Sequence, residues 1–209
     1  MEASIRVSKE FSATVVIDNR IMANKYDLSF AVSLISPDQY EQKVAYDRIK
    51  FLCDNMFEGA IFIKHDNPLL SRFSEGLNNT YSQLHEEPYD SIIVDYLFLK
   101  TQAILEGRAQ IDQLSLSSWQ GREIEFYADA EHDYSLYSKA TWIRSKTKKP
   151  WYMRSDIFVG DYKKVRGLEI PEWEDLYLGW KTPKEEDAEV IEFHKFKGKL
   201  VKGGKKSGN

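Results

Sequence analysis

Alternation of apolar and polar side chains dominates the first part of the chain. Phe11, Ala13, Val15 and Ile17 alternate with smaller or polar residues, and Leu28, Phe30, Val32 and Leu34 alternate with Asp27, Ser29, Ala31 and Ser33. A period of two marks a half-buried strand. Asp18, Asn19 and Arg20 are turn formers, so the two strands are expected to join through a hairpin or a wider connection. The period then changes. Ala45, Ile49, Leu52, Cys53 and Met56 recur at helical spacing and predict an amphipathic helix. Ser36 offers a hydroxyl to the first free N–H groups, Pro37 sits where a missing N–H costs nothing, and Gln39 completes a capping box. Gly59 can take the left-handed conformation that ends the helix, and residues 60–64 predict a third strand.

Residues 65–87 carry turn formers at Asn67, Pro68, Gly76, Asn78 and Asn79 and show no clear period, so they read as a long connection. Pro88 then signals a helix start, with Glu86, Glu87 and Asp90 suited to its positive end. Ile92, Ile93, Tyr96, Leu97, Phe98, Ala103 and Ile104 make this helix apolar around much of its circumference, which predicts deep burial; Gly107 ends it. Residues 111–119 and 123–127 read as two further strands around a turn at Gln120, Gly121 and Arg122. This order predicts an α+β fold: a mainly antiparallel sheet covered on one face by two helices, as in a ferredoxin-like sandwich. The expected organisation is an α+β domain over residues 1–128, an irregular aromatic C-terminal arm over 129–180 packed on that domain or extending from it, and a charged, disordered tail over 181–209.

Composition narrows the function classes. The net charge of −4 over 209 residues opposes a surface built wholly for nucleic acid, but leaves room for a local basic patch. A lone cysteine, Cys53, cannot form a disulfide framework within the chain and suits a reducing compartment; on the apolar stripe it reads as a buried small side chain. The N-terminus lacks the apolar run of a signal peptide, and no run approaches the roughly 18 apolar residues of a membrane span. A cytoplasmic location without membrane contact is expected.

Candidate chemistry concentrates in the rear of the chain, which holds Trp142, Trp151, Trp173 and Trp180. Arg144, Lys146, Lys148, Lys149 and Arg154 are framed by Trp142, Trp151 and Tyr152, a mixture that single-stranded nucleic acid sites use to meet phosphates and stack bases at roughly 1–3 kcal/mol each. The same residues can form a basic hairpin turn whose aromatics pack on the domain. Ile170, Trp173, Leu176, Tyr177 and Trp180 stand at helix-like spacing in an acidic segment that can dock in a partner's groove or tie back over its own core. Lysines from Lys195 onward form a weak attractor for polyanions. Enzyme motifs are sparse: no phosphate loop, nucleophile elbow or metal-type histidine spacing occurs, and no cofactor is implied. The best acid–base set is His65, Asp66, His85 and Glu86, with Glu87 and Asp90, which could hold a divalent ion and activate water for hydrolysis.

Residues 41–50 (EQKVAYDRIK) and 57–63 (FEGAIFI), with the EPYD helix start at 87–90, the ILEGR helix end at 104–108 and the KPW segment at 149–151, resemble uncharacterised proteins of large contractile-tailed phages, including those of cyanobacteria. The likeness spans roughly residues 26–180 and implies a phage accessory protein, with no activity or site residues attached. The expected function is therefore non-enzymatic: binding of a macromolecular partner through the C-terminal arm, a protein first and single-stranded nucleic acid second. A metal-assisted hydrolase at the His65/His85 loop is the rival.

Overall fold

The computed structural model describes residues 3–72, 81–137, 149–160 and 171–181. Strands β1 (Ala3–Ile17) and β2 (Arg20–Leu34) form a long antiparallel hairpin whose register runs unbroken from Ala3 opposite Leu34 to Ile17 opposite Arg20. Asp18 and Asn19, at φ of 48° and 62°, make the turn, a backbone region that short polar side chains tolerate. Helix α1 (Gln39–Phe51) follows and continues as a π-helical turn over Leu52–Phe57. Its N-cap is Asp38, whose carboxylate accepts from Tyr40 N at 2.8 Å, rather than Ser36. The Ser36 hydroxyl instead donates to Glu41 at 2.5 Å. Gly59 ends the segment at φ +74°, as its sequence position predicts.

Next come β3 (Ile61–Lys64), β4 (Tyr81–Leu84), helix α2 (Asp90–Leu105), β5 (Ala109–Ser118) and β6 (Glu125–Asp129). The fold is α+β, but its sheet is larger than a ferredoxin-like one. Six strands run in the order β4-β3-β1-β2-β5-β6. The sheet is mixed, because β3 pairs parallel with both β1 and β4 while β1, β2, β5 and β6 pair antiparallel. Strand β4 was hidden in the sequence by its shortness and its place inside an aperiodic connection.

One sheet face is apolar. Val7, Phe11, Ala13 and Val15 of β1 and Tyr26, Leu28, Phe30 and Val32 of β2 are buried in a single core with Ile49, Leu52 and Cys53 of the first helical segment and Ile93, Leu97 and Ile104 of α2. Helix α2 carries the chain from the β4 edge past β3, β1 and β2 to β5. It is buried around its circumference, down to Asp95, Lys100 and Thr101. A sheet can cover one stripe of a helix, so the remaining sides need another layer. Trp151, Tyr152, Ile157, Val159 and Trp173 supply it, all in the same core. Of the two arrangements expected for the arm, its described residues take the packed one.

Candidate functional site

Most of the aromatic residues singled out from the sequence are structural. Trp151 is fully buried, donates its indole N–H to Gln83 O at 3.1 Å, and stacks on Tyr96 with ring centres 5.8 Å apart. Tyr152, equally buried, donates its hydroxyl to Tyr137 O at 2.6 Å. The Trp173 indole donates to Ser155 O at 2.6 Å, and its ring is 5% exposed. These three rings cannot stack bases or meet a partner, which corrects the expectation that they form a contact surface. Trp180 donates its indole N–H to Glu106 and lies 4.0 Å from the Arg48 guanidinium, partly buried. Arg154 is turned inward, donating to Gly160 O at 3.0 Å and pairing with Asp156 at 2.8 Å. Lys149 is exposed, and so is Tyr177, at 77%. Trp142, Arg144 and Lys148, with Lys146 and the basic tail, lie outside the described residues.

Two buried cations tie this layer down. Arg48 of α1 donates to Leu178 O at 2.8 Å and Ile104 O at 2.9 Å, and pairs with Glu106 at 3.1 Å. Burial works against its charge, and Glu106 works for it. Lys100 of α2 donates to Arg154 O at 2.8 Å and Asp156 O at 2.6 Å. Burial pushes its pKa down to about 7, against the opposing pull of Asp156. Both satisfy carbonyls of an irregular segment that would otherwise be unpaired inside the molecule.

The histidine loop is a compact polar and aromatic knot. His85 Nδ1 lies 2.9 Å from the Tyr96 hydroxyl, which also accepts from His85 N at 2.7 Å. Burial holds the His85 pKa below its ordinary value, partly offset by Glu86 and Asp95 and reinforced by His65 and Lys64. His65 Nδ1 lies 3.3 Å from Leu84 O, and Asp66 is exposed beside Lys64 at 3.6 Å. Asp95 accepts from the Tyr137 hydroxyl, and His132 Nε2 stands 3.9 Å from it. Burial raises the Asp95 pKa, while Tyr137 and His132 act in the other direction. Among the described residues, no group of three His, Cys, Asp or Glu side chains converges as metal ligands.

The exposed features lie elsewhere. On the sheet face opposite the main core, Ser8, Glu10, Asp27, Ser29, Ser115 and Ser117 line a shallow trough of about 470 Å³. Asp54, Glu125 and Lys9 also line this trough beside Glu10 and Asp27, and Lys25 pairs with Glu10, so the carboxylates outnumber the cations and the balance does not favour phosphate chains. At one end of the sheet, the β5–β6 turn presents Trp119, 68% exposed, with the Arg122 guanidinium 5.5 Å from its ring centre. Ile124 and Tyr89 are exposed as well.

The turn is held firmly. Trp119 N donates to Lys25 O at 2.9 Å, Gln120 Nε2 to Ala23 O at 3.0 Å, and Gly121 N to Ser118 Oγ at 3.0 Å. Ser118 Oγ donates in turn to Asp90 at 2.5 Å, joining the turn to the start of α2. The sequence signal was present in Trp119, a large ring at a strand end followed by Gln-Gly-Arg. The cluster of rings further along overshadowed it.

No family model matches the chain, and no curated protein matches it. Among solved structures, the chain is similar to an uncharacterized protein from Wolinella succinogenes, at 10% identity and a TM-score of 0.45, over 63% of this chain and 99% of that one. Among the described residues no helix is long and apolar enough to cross a membrane.

Proposed function

We propose that this chain is a non-enzymatic accessory protein that binds a protein partner, with contact made at the β5–β6 turn rather than by the indoles of the rear segment. The observation that carries this reading is Trp119, a ring left 68% in solvent on a turn fixed by hydrogen bonds to β2 and α2. Trp, Tyr and Arg are the residues on which interface energy concentrates, and Trp119, Tyr89 and Arg122 all lie at this end. A ring already held in place forfeits little freedom on docking. Among the described residues of the rear segment, Tyr177 is an exposed ring on which a contact there would centre. The phage setting rests on the sequence resemblance.

Affinity capture from lysate with the wild-type chain, Trp119→Ser and Tyr177→Ser tests the reading. The proteins retained by wild type should be lost with Trp119→Ser and kept with Tyr177→Ser. An identical retained set for wild type and Trp119→Ser sinks the turn as the contact. Salt-sensitive retention of a labelled single-stranded oligonucleotide in place of any protein would favour the nucleic-acid alternative.

A further inference from the structure

Among the described residues, part of one edge of strand β1 has no neighbouring strand. Its other side is paired with β2 along its whole length, but β3 joins it only at Thr14, Val15 and Val16. The direction of its main-chain groups follows from three bonds. Thr14 N donates to Ala60 O, Gly59 N donates to Ser12 O, and Ser12 N donates to Glu58. Ser12 and Thr14 therefore point away from β2. In an antiparallel pair such residues alternate with those bonded to the partner strand. The register of β1 against β2 is unbroken, so Ser4, Arg6, Ser8 and Glu10 also aim their N–H and C=O groups outward. Among the described residues, no strand lies beside them. Natural sheets blunt such edges with proline, a bulge, an inward-pointing charge or a covering element. The edge from Ser4 to Glu10 has neither proline nor bulge, and its inward-pointing charge, Lys9, is paired at 2.8 Å with Asp54 of the π-helical turn on the core side, which leaves the outward main-chain groups of Arg6, Ser8 and Glu10 unpaired by any described strand.

We propose that this edge pairs with the same edge of a second copy of the chain, antiparallel about Ser8. In that register Ser8 faces Ser8, and Arg6 of each copy faces Glu10 of the other. A two-fold contact of this kind must be self-complementary. Centring on Arg6 would oppose two guanidinium groups, whereas centring on Ser8 opposes cation and anion twice. Arg6 and Glu10 are exposed and stand on the sheet face away from the main core. Lys25 engages Glu10 through Oε2 within the chain, which leaves Oε1 for the second copy. The outcome is one continuous sheet running through both copies, with main-chain bonds providing attachment and the charge pairs setting the register.

Sedimentation equilibrium of the full chain across a concentration series, with melting curves recorded beside it, tests the proposal. The wild-type mass should rise from one copy to two. Ser8→Pro removes an outward N–H without touching the β1–β2 bonds, and should leave a folded monomer. Arg6→Glu should weaken association tenfold or more, and Arg6→Glu with Glu10→Arg should restore it. Should Ser8→Pro fail to fold, the charge reversal and its rescue decide the matter alone. The proposal is overturned by a wild-type chain that stays monomeric at every concentration, or by a dimer that neither Ser8→Pro nor Arg6→Glu alters. It is equally overturned if the amides of Arg6, Ser8 and Glu10 exchange slowly in a monomer, because another segment of the chain then covers the edge.

Discussion

The guanidinium of Arg48 lies 4.4 Å from the centre of the Trp173 ring, and on its other contact 4.0 Å from that of Trp180. The same side chain donates to Leu178 O across 130 residues of sequence. One buried cation on α1 thus organises the last described segment, and cation–π contacts of this desolvated kind are worth about 2 kcal/mol. Arg48→Met keeps much of the volume but strands the Leu178 and Ile104 carbonyls. It should destabilise the protein by about 3 kcal/mol, lowering the melting temperature by about 2–4 °C per kcal/mol. A melting curve unchanged from wild type would show that the segment needs no such tie.

Lys100 links stability to pH. Its folded pKa of about 7 lies below the ordinary 10.5, so between those values the unfolded chain binds more protons than the folded one. Stability therefore rises with pH across that window, and the contribution is flat below it. Lys100→Met should flatten the rise. Measurements kept below pH 10 avoid the tyrosines Tyr26, Tyr134 and Tyr137, whose pKa values burial pushes up and whose effect runs the opposite way. A variant that keeps the wild-type slope between pH 7 and 9 would remove Lys100 as its source.

Gly121 sits where a Cβ would come 2.8 Å from Asp90 Oδ2 and 3.2 Å from Ser118 Oγ. Gly121→Ala must push the carboxylate away from the hydroxyl it accepts from. The expected cost is about 1 kcal/mol of stability together with loosening of the turn that carries Trp119. Trp119→Ala, by contrast, should change stability by no more than about 0.5 kcal/mol. Equal destabilisation by the two substitutions would mean that the Trp119 ring is packed rather than displayed.

Cys53 is fully buried on the apolar stripe, and burial pushes its thiol pKa up to about 12. Thiolate is the reactive form, so a thiol reagent should leave the native protein unlabelled at neutral pH and label it fully after denaturation. Rapid native labelling would place Cys53 in an accessible site.

The front of the molecule was legible because its signals are local. Phe11, Ala13 and Val15 declare a strand by alternation, Ala45, Ile49 and Leu52 declare a helix by spacing, and Gly59 and Gly107 take the positive φ that their positions suggest. Even the all-round burial of α2 could be read from Ile93, Tyr96, Leu97 and Ile104. That same observation demanded a second cover for the helix, and among the described residues Trp151, Tyr152, Ile157 and Val159 of the rear segment join it in the core. Nothing within a few residues of Trp151 or Trp173 distinguishes a contact surface from a core.

By itself, then, the sequence determined most of the strands and both long helices, though not β4, since propensity and periodicity act between residues a few positions apart. Tertiary structure alone decided that Trp151 meets Gln83 across 68 residues and that Trp119 meets no comparable cover. It also decided that β3 reaches β1 only beyond Ser12. Burial is a property of what the rest of the chain brings to a residue, and that depends on strand order and helix placement that no short window contains.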